Sequence, residues 1–332
     1  MPITEFIPEQ ESASTLSFLE AHHSFLVETL PDWVRDNIDN AVVYGKDNKC
    51  IKLQDGRKYH LDNCLNNLTG RDWTLFIDSV FDTRYPTSGK ESYAHKIRRI
   101  HPSPKPPQLM KEIIEFFTKD DELVFDCFAG VGGTLLGAAL ANRKAIGIEL
   151  CHKYIVAYKN VAAELKLEEF PMFHGDALTI LKEQELCFNQ LISLMLIDPP
   201  YANMMSMQKT GGDAIALGSD DPTPFTTDNR DLGNMERDEF LSALKYSIEL
   251  TLPSIKHRGY IVIFIKDIQP KRKKLNFLHN EVAEKINELP GVFYKGMKIW
   301  ADYSAKKYPY GYPFCFVANQ IHQYILVFRK EK

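Results

Sequence analysis

The chain lacks the marks of several common roles. Its six cysteines, at 50, 64, 127, 151, 187 and 315, form no C-x-x-C pair and no Cys/His cluster at zinc-ligand spacing, so no metal is expected and a reducing compartment is. No apolar run is long enough to span a bilayer, and Met1-Pro2-Ile3-Thr4-Glu5-Phe6 is not a basic segment followed by an apolar stretch. The expectation is a soluble cytoplasmic protein with no membrane partner. Internal repeats and low-complexity tracts are missing, which excludes a solenoid or a dominantly disordered chain. An excess of positive charge is missing as well: 40 Lys plus Arg against 44 Asp plus Glu gives −4, so the chain as a whole does not attract polyanions. Contact with a polyanion would need local basic surface, and the candidates are Arg98-Arg99 with Lys105, the run Lys271-Arg272-Lys273-Lys274, and Lys295, Lys298, Lys306 and Lys307.

What is present is an α/β rhythm from about residue 107 onward. Apolar residues at Leu109, Ile113, Phe116 and Phe117 behind Pro107 predict a helix over 107–118, and Leu123–Cys127 follows as a strand. A small-residue helix over 132–140 leads to a strand at Lys144–Glu149, and a helix at 152–165 leads to a strand at Pro171–Asp176. Strands follow at 191–197, 259–265, 292–300 and 322–328, with a helix at 236–252. Seven strands alternating with helices predict a doubly wound, mostly parallel sheet. The last two have little room for a crossover helix between them, so they should pair antiparallel. Residues 1–95 do not share the rhythm and read as an N-terminal accessory region, with DNA recognition one role open to it. Residues 96–332 read as the main domain, with inserted loops at 202–235 and 301–320; loops of that length in a compact domain are functional or disordered.

Three strand ends carry polar chemistry. The turn Phe128-Ala129-Gly130-Val131-Gly132-Gly133 follows a strand and opens a helix, where glycines let backbone approach a ligand closely. Glu149 ends the next strand about twenty residues on, where an acid binds ribose hydroxyls in doubly wound folds, and Asp176 is placed to accept from an adenine amino group. Either acid could equally be a strand-end residue capping the next helix. The turn is F-x-G-x-G-G rather than G-x-G-x-x-G, which suits one nucleoside with a short polar tail better than a dinucleotide. The third end is Asp198-Pro199-Pro200-Tyr201. A residue before proline is extended and proline has a fixed φ, so the Asp198 carboxylate and the Pro199 carbonyl can face one way as two acceptors for an –NH₂ group. Tyr201 adds a flat face for a planar ring. The bland alternative is a Pro-Pro turn ending a strand.

Taken together, these motifs resemble those of the amino-group (N6-adenine and N4-cytosine) S-adenosylmethionine-dependent DNA methyltransferases. Phe128–Gly132 resembles the cofactor loop, Asp198–Tyr201 the catalytic motif, and His101-Pro102-Ser103-Pro104-Lys105-Pro106 the His-Pro-x-x-Lys-Pro segment beside the methionine end of the cofactor. The resemblance covers roughly residues 98–330. It implies S-adenosylmethionine as cofactor, bound by His101, Lys105, Asp126, Phe128, Gly130, Gly132, Glu149 and Asp176, and catalysis by Asp198, Pro199, Pro200 and Tyr201 without a metal. It implies DNA as partner, a base flipped out of the duplex, a prokaryotic or phage-encoded source, a monomer or dimer, and a setting in which a cognate restriction endonuclease is one option. The motif order resembles the branch whose recognition elements follow the catalytic motif, although that branch more often has Asn where Asp198 stands. Cys127 replaces a common proline. Asp at 198 favours adenine N6; cytosine N4, a guanine amine in RNA and a glutamine amide in a protein stay open.

Overall fold

A computed structural model describes residues 14–183, 190–202, 225–267, 276–305, 307–309 and 312–331. Cys187, the basic run Lys271–Lys274, most of the expected 202–235 loop and three residues of the 301–320 loop lie outside them. The described chain forms two compact units, one up to Ile77 and one from Asp78.

The first unit pairs helix α1 (Thr15–Glu28), the short helix α2 (Asp32–Arg35) and helix α3 (Gly70–Phe76) with strands β1 (Val42–Tyr44), β2 (Cys50–Lys52) and β3 (Lys58–His60). The strands form an antiparallel meander, β1–β2–β3. Leu19, Val34, Ile51 and Tyr59 make its small core, and Trp33 donates its indole N–H to the Asn67 carbonyl at 2.9 Å.

The second unit contains the α/β rhythm. Its strands are β4 (Val80–Thr83), β5 (Leu123–Asp126), β6 (Lys144–Glu149), β7 (Met172–His174), β8 (Ile192–Ile197), β9 (Ile255–Ile265), β10 (Val292–Asp302) and β11 (His322–Lys330). They form one sheet in the order β4–β10–β11–β9–β8–β5–β6–β7. Every neighbouring pair is parallel except the two made by β11, which runs antiparallel to both β10 and β9. The final antiparallel strand is therefore as expected. The seven expected strands gain an eighth, β4, from the stretch assigned to the accessory region; it pairs with β10 through Val80–Ile299 to Thr83–Asp302. Four residues with a partner more than two hundred positions away give too short a pattern to see in sequence.

Helices α4 (His95–Arg98), α5 (Pro107–Phe117), α6 (Gly133–Leu140), α7 (His152–Leu165), α8 (Ala177–Glu183), α9 (Arg237–Thr251) and α10 (Leu278–Asn287) complete the unit. Helix α5 starts on Pro107, whose missing N–H costs nothing in a first turn, and buries Leu109, Met110, Ile113, Ile114, Phe116 and Phe117. All six residues of β8 are buried, which explains an apolar run without alternation: a central parallel strand is covered on both faces. The chain leaves β5 for β6 and β7 on one side, then returns to place β8 on the other. That reversal opens a crevice at the carboxyl ends of the strands, where open α/β sheets bind ligands.

Candidate active site

A crevice of about 280 Å³ lies at this switch point. His101, Phe128, Gly130, Glu149, Asp176, Asp198, Pro199, Pro200 and Tyr201, all singled out in the sequence, line it. Asp126, Gly132 and Lys105 are set behind its wall.

Asp126 shapes the glycine turn from beneath. Its carboxylate accepts from the Phe128 N–H at 2.9 Å and the Thr134 hydroxyl at 2.6 Å, tying the end of β5 to the first turn of α6. Burial pushes this carboxyl up to about 7. Gly130 and Gly132 have φ of +52° and +73°; a Cβ on Gly132 would fall 2.2 Å from the Tyr158 ring. Glu149, 8 % exposed, accepts from the Gly130 N–H and the Cys151 N–H, both at 2.7 Å, so one side chain spans the turn and the start of α7. Asp176 accepts from the backbone N–H and the hydroxyl of Thr179 at 2.8 and 2.6 Å and so also caps α8.

His101 closes the other side of the turn. Its ring meets Tyr154 edge-on at 4.8 Å and Phe225 at 4.9 Å, while its Nδ1 accepts from the Ser103 N–H at 3.2 Å. Burial, helped by the nearby Lys105 charge, lowers its pKa to about 3. The ring is therefore neutral, with its proton on Nε2 facing Gly130.

At the end of β8 the Asp198 carboxylate has two partners among the described residues. The Lys105 ammonium pairs with Oδ2 and the Tyr201 hydroxyl donates to Oδ1. Lys105 Nζ lies 5.1 Å from the Phe264 ring centroid and 6.0 Å from those of Tyr201 and Trp300, so the cation sits among aromatic faces as well as beside its anion. The Tyr201 ring is 7 % exposed, and its hydroxyl lies 3.1 Å from Gln323 Oε1 on β11. Each carboxylate oxygen can accept more than one hydrogen bond, so Asp198 keeps acceptor capacity toward the crevice.

Burial also corrects one surface assignment. Arg98 is 1 % and Lys105 6 % exposed, and Arg98 donates to the Tyr93 and Lys105 carbonyls, so neither can form part of a surface basic patch. Lys298 is buried too, its ammonium on the Asp78 carbonyl, and Lys295 pairs with Glu331 at 2.6 Å. Sequence reasoning did not pick out Tyr154, Phe225, Lys266 or Gln323 as crevice residues. Lys266, one step past β9, is partly buried, and burial lowers its pKa. Its only sequence signal is its position at the end of a buried strand.

Residues 39–160 match the family model described as DNA methylase, N6_N4_Mtase. This stretch is similar to the amino-group DNA methylases. The matched stretch takes in the His101–Pro106 segment, the glycine turn and Glu149 and ends before Asp198. Among the methylase relatives, the orphan methyltransferase M.BamHII of Bacillus amyloliquefaciens is 38 % identical over 71 residues, 21 % of this chain and 27 % of its own length. The type II methyltransferase M.HindIII of Haemophilus influenzae is 49 % identical over 49 residues, 15 % of this chain and 16 % of its own. The chain spans about a quarter or less of the length of these relatives. The crystal structure of TrmN from Thermus thermophilus aligns with 72 % of this chain and 53 % of that one, at 12 % identity and a TM-score of 0.45.

S-adenosylmethionine is the cofactor of this methylase family, and the crevice fits it. Gly130 lines it without a side chain, and Glu149 offers acceptor capacity at the end of β6, where ribose hydroxyls bind in doubly wound folds. Burial holds the Glu149 carboxyl up at about 7, against 4.5 when unperturbed. Between those values the folded protein binds a proton that the unfolded chain has lost, so ligand-free stability declines as pH rises through this window. Ribose hydroxyls of a cofactor bound here would donate to the anion. Cofactor binding should therefore tighten as pH rises toward and past 7, with proton release. Glu149→Gln should weaken binding by about 10- to 100-fold, the worth of a hydrogen bond to a charged group, and flatten its pH dependence. Calorimetry between pH 6 and 8 checks both; unchanged affinity and slope would return Glu149 to a purely structural role.

Proposed function

We propose that this protein methylates the exocyclic amino group of a DNA base, adenine N6 in preference to cytosine N4. The observation that carries this reading is the Asp198 carboxylate, fixed by Lys105 and Tyr201 at the switch-point crevice beside the glycine turn and Glu149. When bound, S-adenosylmethionine supplies an electrophilic sulfonium methyl group. An aromatic amine is a poor nucleophile because its lone pair is delocalised into the ring. Asp198 and the Pro199 carbonyl accept its two N–H groups and favour a pyramidal nitrogen with its lone pair free to attack, a stabilisation that grows toward the transition state. The methyl replaces one amine hydrogen, which leaves as a proton, and no covalent enzyme intermediate is required.

Lys105 and Tyr201 hold Asp198 still, so its orientation does not have to be gained at the moment of reaction. Because the acceptors lie in a crevice, a base inside a duplex must be extruded to reach them. Adenine is favoured because Asp opens the motif. Mass spectrometry of nucleosides from unmodified DNA treated with the protein and S-adenosylmethionine tests the reading, with N6-methyladenine expected. N4-methylcytosine would reassign the base, and DNA left without either product, with RNA or protein labelled instead, would overturn it.

A further inference from the structure

Among the described residues of the loop between β10 and β11, three aromatic rings stand mostly in water. Tyr312 is 81 % exposed, and Phe314 and Phe316 are each 92 % exposed. Soluble proteins rarely leave several large apolar rings together at one surface point unless something covers them. The tip has a firm base. Tyr308 N–H donates to Asn319 Oδ1 at 2.8 Å, and Asn319 Nδ2 donates back to the Tyr308 carbonyl at 2.7 Å, closing a neck below the rings. Below that, the Asp302 N–H donates to the Ile321 carbonyl at 2.8 Å.

The loop is also joined to the active site. Gln323 is only four steps along the chain from the neck at Asn319, at most roughly 14 Å, and it lines the crevice and touches the Tyr201 hydroxyl. Cations stand at the foot of the loop: the Arg84 guanidinium lies 5.5 Å and the Lys307 ammonium 5.7 Å from the Tyr303 ring. Exposed rings at the tip, cations at the foot and an amine-binding crevice at the root suit a polymer with flat apolar faces and an anionic backbone.

We propose that Phe314 and Phe316 form a wedge that stacks in the DNA duplex at the position vacated by the extruded target nucleotide, with Arg84 and Lys307 against the flanking phosphates. The proposal rests on the DNA-methylation reading and adds to it how the duplex is opened. Extrusion removes stacking from the two neighbouring bases. A flat apolar side chain restores it without regard to sequence, and cations beside it offset backbone charge.

The test uses the full chain and a duplex carrying the methylated site mapped with the wild type. Phe314→Ala/Phe316→Ala is compared with wild type on that duplex and on one with an abasic position opposite the target base, where extrusion costs least. The double variant should lose about tenfold or more in kcat/KM on the paired duplex. On the abasic duplex it should stay within about threefold, and Phe314→Trp/Phe316→Trp should keep activity on both. Equal turnover of the double variant and wild type on the paired duplex, or an equal loss on both duplexes, would overturn the wedge and leave the methylation reading standing. A wild type that methylates no DNA would overturn both. Both rings are exposed, so unfolding temperatures should match across the variants and confirm intact folding.

Discussion

Asp198→Ala should lower kcat for methyl transfer by at least about 10²–10³-fold, the loss seen when one preorganised hydrogen-bonding partner of a transition state is removed. S-adenosylmethionine affinity should stay within a few fold, because the glycine turn and Glu149 are held by bonds that do not involve Asp198. Asp198→Asn is the informative companion. An amide keeps one carbonyl acceptor for the amine while giving up the charge that Lys105 pairs with. It should retain clearly more turnover than Ala. Single-turnover rates with saturating cofactor separate the three proteins; near-normal turnover of Asp198→Ala would end the amine-clamp reading.

Lys105→Met should be the more disruptive change for the fold. The lysine side chain is 5 % exposed and that of Asp198 17 %, so removing the ammonium leaves a largely buried carboxylate without its counter-charge. Breaking a buried pair by deleting one partner costs about 3 kcal/mol or more. In a unit of this size that lowers Tm by roughly 6–12 °C. Catalysis should fall with it, because Asp198 loses the partner that fixes its direction. The cofactor Kd should change little. That contrast decides between two roles, since the resemblance places Lys105 at the cofactor and its contacts place it on Asp198. If Kd rises tenfold while kcat holds, Lys105 belongs to the cofactor.

The core strands were legible because their chemistry is local. Lys144–Glu149 and the helix at 152–165 fall where the pattern puts them, and Ile192–Ile197 is an uninterrupted apolar run because its strand is buried on both faces. Strand β9 starts at Ile255, earlier than the apolar run suggests; Lys256, His257 and Arg258 are polar, and Arg258 has φ +62° where the strand bends. The glycine turn, Glu149 and Asp198 could be read because each sits at a strand end, and strand ends of a parallel sheet converge. Gln323, Lys266 and Phe225 could not, since their place in the crevice depends on which distant strands become neighbours. The Tyr201 ring illustrates the same limit. A tyrosine after two prolines suggests an open stacking face, whereas its burial and its bond to Asp198 follow from β11 and the Lys105 segment closing around it.

Strand β4 has a consequence for how the chain can be shortened. It covers the outer side of β10 from Ile299 to Asp302, and the Ile299 N–H donates to the Ser79 carbonyl at 2.8 Å. A fragment beginning at residue 78 keeps that cover. One beginning at residue 96, where the sequence pattern suggests the boundary, strips it away and presents a row of unpaired amides and carbonyls ready to pair with another molecule. Such a fragment would invite self-association through the sheet edge, so trimming here governs solubility before it touches the chemistry.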